Sequence, residues 1–128
     1  MRILNLTQHP CSPEQEKLGV IEPRGEGQKA LIQRLLTFNY PPSGAEMSRR
    51  ARALRDVALE NKISRVMIGG APFFMAPLEE ALMSEGFTVL YAFSQREVVE
   101  QVLEDGSIKK TAIFKHVGWV EAQDRYKS

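Results

Sequence analysis

The sequence is poor in the residues that would staple or metallate a small protein. It has one cysteine, Cys11, and two histidines, His9 and His116. A single thiol excludes an internal disulfide and any multi-cysteine zinc site. Two histidines so far apart, with no carboxylate cluster nearby, give no metal-ligand spacing. No cofactor or metal is therefore expected. Charge of one sign is also lacking: 17 basic against 16 acidic residues leave a formal charge of +1, which gives no global pull toward nucleic acid or an anionic membrane. No apolar run approaches the ~20 residues that span a bilayer, and the opening Met1–Thr7 turns polar too soon for a secretory core. A cytoplasmic protein is the expectation.

What is present is an ordinary globular composition. With 128 residues, 43% hydrophobic and 26% charged, the chain is expected to form a single domain over 1–128. It is long enough to bury roughly two-thirds of its unfolded surface.

The order of elements follows from periodicity and punctuation. Residues 2–7 form an apolar-rich run that breaks at Gln8-His9-Pro10, predicting a buried strand that ends near Thr7. Ser12-Pro13-Glu14-Gln15 has the pattern of a capping box and predicts a short helix ending by Gly19. Val20-Ile21-Glu22-Pro23 is extended or a turn. Ala30, Leu31, Ile32, Leu35 and Leu36 fit a helix over 28–38. Met47, Ala51, Leu54 and Ala58 make one apolar stripe on a helix over 45–62, whose other face carries Arg49, Arg50, Arg52 and Arg55.

Ser64–Gly70 reads as a buried strand running into a glycine turn. Of the two prolines that follow, Pro77 better suits a helix start, because proline disrupts a helix interior. The expected helix covers 77–85 and closes on Gly86. Phe87–Phe93 is a further apolar strand. Strand, helices, strand, helix, strand predicts a Rossmann-like α/β fold, mainly parallel, with helices covering both faces.

Beyond Ser94 two β-rich runs flank Asp105-Gly106, a type I′ hairpin signal. A two-residue loop pairs Leu103 with Ile108, Val99 with Ala112 and Val98 with Ile113. A helix over 96–103 is the competing reading. The end of the chain from Ala122 is polar and expected to fray.

In such a fold ligands bind outside the carboxyl ends of the parallel strands. Three loops are expected there: Asn5, Thr7, Gln8 and His9 in the first, Gly69 and Gly70 in the second, Ser94, Gln95 and Arg96 in the third. Hydroxyl, amide, imidazole, a glycine turn near a helix start and a guanidinium suit a phosphate-bearing ligand. Gly69-Gly70 lacks both the dinucleotide and the P-loop spacing, so neither a nicotinamide cofactor nor ordinary ATP hydrolysis is indicated. His9 is a candidate general acid or base, or simply a loop histidine capping a turn. Cys11, before a helix and close to His9, has a setting that lowers a thiol pKa, although most such cysteines are passive. The arginine helix face is either solvated or a sequence-tolerant nucleic-acid surface through Arg49, Arg52 and Arg55. Large apolar groups such as Phe74, Tyr91 and Phe93 should be core, and any left exposed would favour a two-fold homodimer.

The opening Ile3-Leu4-Asn5-Leu6-Thr7-Gln8-His9, with Ser12-Pro13-Glu14-Gln15 after it, resembles that of small stand-alone CRISPR-associated proteins with a Rossmann-like fold. These are related to the CARF ligand-sensing domain and include ring nucleases. The resemblance covers about the first dozen residues and the element order. It implies a homodimer holding cyclic oligoadenylate in antiviral signalling, with metal-independent cleavage as the activity. It places Asn5, Thr7, Gln8, Gly69, Gly70 and Ser94 against the ligand, with His9 and Arg96 as catalytic groups. The closing stretch Phe114–Val120 resembles uncharacterised bacterial and phage proteins. The alternative function is a non-catalytic interaction or adaptor protein of bacterial or phage origin.

Overall fold

A computed structural model describes residues 1–123; from residue 124 on, the expectation of a frayed end lies outside the described residues. The elements are β1 (Ile3–Leu6), α1 (Pro13–Lys17), β2 (Val20–Ile21), α2 (Gly25–Leu36), α3 (Gly44–Asn61), β3 (Arg65–Ile68), α4 (Pro72–Met83), β4 (Thr88–Val102) and β5 (Ile108–Glu121). They build a mixed five-stranded sheet in the order β2-β1-β3-β4-β5. The first four strands are mutually parallel and β5 is antiparallel to β4.

β1 and β3 are the centre of the sheet because they are apolar on both sides, as strands buried on both faces must be. Leu4, Leu6, Val66, Ile68 and Val89 face the main core, to which α2 adds Ile32 and Leu36, α3 adds Ala51, Leu54, Val57 and Ala58, and α4 adds Phe74, Leu78 and Leu82. The opposite face holds a smaller cluster, Ile3, Val20, Met67 and Leu90, against which Cys11 and Trp119 pack. The expected helical cover of both faces is corrected accordingly. All three long helices lie on one face, since residues 7–19 between β1 and β2 leave room only for the five-residue α1, which buries nothing.

Local chemistry explains most boundaries. Ser12 and Gln15 form the expected capping box, and Ser43 caps α3 by accepting from the Glu46 amide. α4 ends in a Schellman motif: the Gly86 amide donates to Met83, the Phe87 amide donates to Leu82, and Gly86 takes φ +87°. Its start differs from expectation. α4 begins at Pro72 and carries Pro77 in its interior. The lost donor is outweighed because a continuous helix buries Phe74, Leu78 and Leu82 at spacings of four.

The largest difference lies in β4. The expected break after Phe93 is absent, and β4 is one strand of 15 residues. Its last pair with β3 is Ile68 with Tyr91, so from Ala92 on it pairs only with β5 and projects from the sheet as a two-stranded arm. A bulge lies at the base of the arm, where Val117 is inserted between the Phe93–Gly118 and Ser94–His116 pairs. The hairpin is real, and neither the competing helix nor the expected register is found. Val102 pairs with Ile108, Val99 with Thr111 and Val98 with Ala112, one residue away from the two-residue-loop register. Leu103 accepts from the Gly106 amide and donates to Ser107, and Gly106 alone in this turn has positive φ, +83°. This is a type I turn followed by a left-handed glycine, which closes a three-residue loop. Ser107 fixes it by donating through amide and hydroxyl to Asp105.

Candidate functional site

The chain leaves β1 toward β2 on one side of the sheet and leaves β3 toward β4 on the other, so a crevice opens between the carboxyl ends of β1 and β3. A cleft of about 470 Å³ occupies that position. Its walls are Thr7–Pro10 after β1, Met67–Gly70 at the end of β3, Ser12 and Gln15 of the capping box, and Tyr91 and Ala92 of β4.

The first wall is held from beneath by Asn5, which is fully buried. Its Nδ2 donates to the His9 carbonyl at 2.8 Å and to both Glu22 carboxylate oxygens at 3.1 and 3.2 Å. Its Oδ1 accepts from the Thr7 amide at 3.1 Å and the Thr7 hydroxyl at 2.6 Å. Asn5 is thus a positioning residue and does not line the cleft. The loop is also tied to the end of α2, where Gln8 Nε2 donates to Thr37 Oγ1 at 2.8 Å. His9, at the tip, is exposed.

The second wall uses its two glycines differently. Gly70 has φ +149°, a conformation that side-chain-bearing residues rarely take. Gly69 is under no such constraint, and a Cβ there would meet only Thr7 Cγ2 at 3.8 Å. Two residues later α4 starts with Ala71 at its N-cap and no side-chain cap. The positive end of a twelve-residue helix therefore stands beside the cleft.

Five expected site residues, Thr7, Gln8, His9, Gly69 and Gly70, line one cleft. Ser94 and Arg96 do not join them. The third loop expected to carry them is the interior of β4, and both side chains are exposed on the arm, where Ser94 pairs with His116 and Arg96 with Phe114. Tyr91, Ser12 and Gln15 were not expected in the site. Tyr91 donates from its hydroxyl to Glu79 Oε2 of α4. Its alternation in an apolar run gave no sign that it would stand at the last rung shared with β3.

Cys11 is corrected as well. Burial, and then the adjacent Glu22 carboxylate, push its thiol up to about 11, which leaves it protonated and a poor nucleophile near neutrality. Burial also raises Glu22, but hydrogen bonds from the Cys11 amide and from Asn5 outweigh it and hold the carboxyl below its ordinary value. On α3, Arg50 is not part of a solvated face. Its guanidinium donates to the Arg34, Leu35 and Thr37 carbonyls at the end of α2 and stacks 4.3 Å from the Phe38 ring. Arg55 pairs with Asp56, while Arg49 and Arg52 are exposed.

His116 is buried at the base of the arm. It packs on Trp119 with ring centroids 4.5 Å apart, and its Nδ1 lies 3.5 Å from Gln15 Nε2. Its Nε2 is buried with no hydrogen-bond partner among the described residues, and burial lowers its pKa. Among the described residues no three His, Cys, Asp or Glu side chains gather as a metal site, and no helix is long and apolar enough to cross a membrane.

The sequence profile of the Uncharacterized protein MJ1673 family matches residues 1–120. The chain belongs to this family. No curated protein and no solved structure matches it. The matched span includes every wall of the cleft and nearly all of the arm, so both are parts of the MJ1673 family region.

Proposed function

We propose that this MJ1673 family protein binds a nucleotide-type, phosphate-bearing ligand in the cleft between the carboxyl ends of β1 and β3. The observation that carries the reading is the coincidence of three features: the cleft, the switch in chain direction, and the uncapped start of α4 beyond Gly69-Gly70. The strand order 2-1-3-4 matches the order found in Rossmann-like sheets, in which ligands occupy this crevice. Met67, Ile68, Ala92 and the Tyr91 ring supply apolar surface for a base. Thr7, Gln8, Ser12 and Gln15 supply hydroxyls and amides for base edges and ribose. The start of α4 supplies partial positive charge for phosphate through its dipole and the Phe73 amide, since Pro72 brings no N–H and the Phe74 amide donates to Ala71.

The sharper form of this reading is cleavage of a cyclic oligoadenylate by a homodimer acting in antiviral signalling. A ligand 2′-oxygen attacks the adjacent phosphorus, the 5′-oxygen leaves, and the product is a 2′,3′-cyclic phosphate with a 5′-hydroxyl. His9 takes the proton of the 2′-hydroxyl, water protonates the leaving 5′-oxygen and His9 later returns its proton to solvent, and backbone amides stabilise the phosphorane. Arg96 takes no part in the cleft of its own chain.

A second reading, an interaction protein with no small-molecule substrate, is favoured by the exposed apolar residues of the arm, among them Phe114 at 74% and Val102 at 73% exposure. A thermal-shift screen with cyclic tri-, tetra- and hexa-adenylate and mononucleotides separates the two. A ligand at a hundred times its Kd adds about 2.7 kcal/mol of apparent stability. Stabilisation by one of them supports the ligand reading, and chromatography of that ligand shows whether it is cleaved. No shift with any of them overturns it.

A further inference from the structure

The arm is an exposed two-stranded ribbon, a structure of marginal stability in water when nothing covers it. Alternation along paired strands puts Val98, Val102, Ile108, Ala112 and Phe114 on one face, together with Arg96, Glu100 and Lys110. Val98 is 59% and Ile108 57% exposed. The other face carries more polar residues, including Gln95, Glu97, Gln101 and Lys115. We propose that the apolar face is covered by the same face of a second copy of this chain, with β4 of each protomer lying over β5 of the other.

Charge selects that arrangement among the ways two arms can meet. The β4 half, residues 94–105, holds one arginine against four carboxylates, net −3, while residues 106–117 hold three lysines, net +3 with His116 neutral. Edge pairing of β4 with β4 sets acid against acid, and edge pairing of β5 with β5 sets lysine against lysine, both unfavourable. Stacking about an axis along the arms puts the acidic strand over the basic one. Glu100 and Lys110 are directly paired within one arm, 3.8 Å apart, so the same operation sets each Glu100 over the partner's Lys110. It also sets Arg96 over the Phe114 ring and Val102 over Ile108.

Area agrees with this. At their exposures, the residues of this face present on the order of 700 Å² per protomer, near the ~800 Å² per partner of a standard interface. The inference does not rest on the ligand reading, because no residue of this face of the arm lines the cleft.

Sedimentation velocity on the full chain tests it. The wild-type protein should sediment as a dimer, twice 14.5 kDa. Glu100→Lys sets four cations together and Lys110→Glu sets four carboxylates together, so each variant alone should dimerise on the order of 100-fold more weakly. An equimolar mixture of the two should recover a dimer, which misfolded variants could not do. Thr111→Lys, on the other face, should leave the dimer intact. A wild-type monomer at about 100 µM, a mixture that stays monomeric although both variants keep the wild-type circular dichroism, or a Thr111→Lys chain that is monomeric would each overturn the proposal.

Discussion

The side-chain amide of Asn5 and the carboxylate of Glu22 are joined by two contacts, 3.1 and 3.2 Å, across the ends of β1 and β2. Through the same amide, Asn5 fixes the His9 carbonyl. One buried residue thus couples the sheet edge to the cleft wall. Asn5→Ala leaves the Glu22 carboxylate, the Thr7 amide and the His9 carbonyl without that partner, which should cost about 2–3 kcal/mol in urea denaturation. Ligand affinity should fall with it, because the Thr7–His9 wall loses its support. An Asn5→Ala protein as stable as wild type would remove the positioning role.

The stability of the fold should depend on pH in two windows. Burial holds the His116 pKa below its ordinary 6.5, so protonation favours the unfolded chain. That contribution is complete above pH 6.5 and is lost as pH falls from there toward the depressed folded-state value. Glu22, held below its ordinary 4.5, contributes stability above 4.5 that is lost at more acidic pH. Melting temperature measured from pH 8 down to about pH 2.5 should therefore decline first below 6.5 and again below 4.5. His116→Phe should flatten that first decline and leave the second. An unchanged first decline in His116→Phe would assign it to another group.

Gly69 and Gly70 look alike in sequence and should respond differently to alanine. Gly70→Ala forces a side chain into φ +149° and should cost about 1–3 kcal/mol. Gly69→Ala adds a methyl group in ordinary contact with Thr7 and should be close to neutral in a thermal melt. Equal losses at both positions would point to packing instead of backbone conformation.

The parts of the molecule legible in the sequence are those set by local chemistry. The Ser12–Gln15 capping box, the apolar stripe of α3 and the glycine at the end of α4 act within a turn or two of helix, and each was found where the pattern placed it. Two walls of the cleft were legible for the same reason, because Pro10 and the Gly69-Gly70 pair end their strands locally. The parts that were not legible are decided at a distance. Whether β4 stops at Phe93 or continues depends on β5 being there to pair with it, and Ser94 gives no local stop. A break there would place Ser94 and Arg96 in a loop, where the fold instead has the interior of a strand. The hairpin register turned on one residue, because a left-handed Gly106 fits a three-residue loop as well as the type I′ turn. Pro77 misled in the same way, its local penalty being smaller than the burial of Phe74 and Leu78.

The contrast between His9 and Arg96 gives the most direct functional experiment. Both suit phosphate chemistry by residue type, yet His9 is at the cleft and Arg96 is on the arm. If the cleft cleaves a cyclic oligoadenylate, His9→Ala removes the proton acceptor and should slow single-turnover cleavage by about 10²–10⁴-fold with little change in affinity, as for loss of a general base. Arg96→Ala, assayed at a protein concentration that keeps the dimer, should leave both the rate and the affinity of each cleft unchanged. Single-turnover kinetics with enzyme in excess, beside a direct binding titration, distinguishes these effects. A rate lost in Arg96→Ala but kept in His9→Ala would move the chemistry out of the β1–β3 cleft and onto the arm.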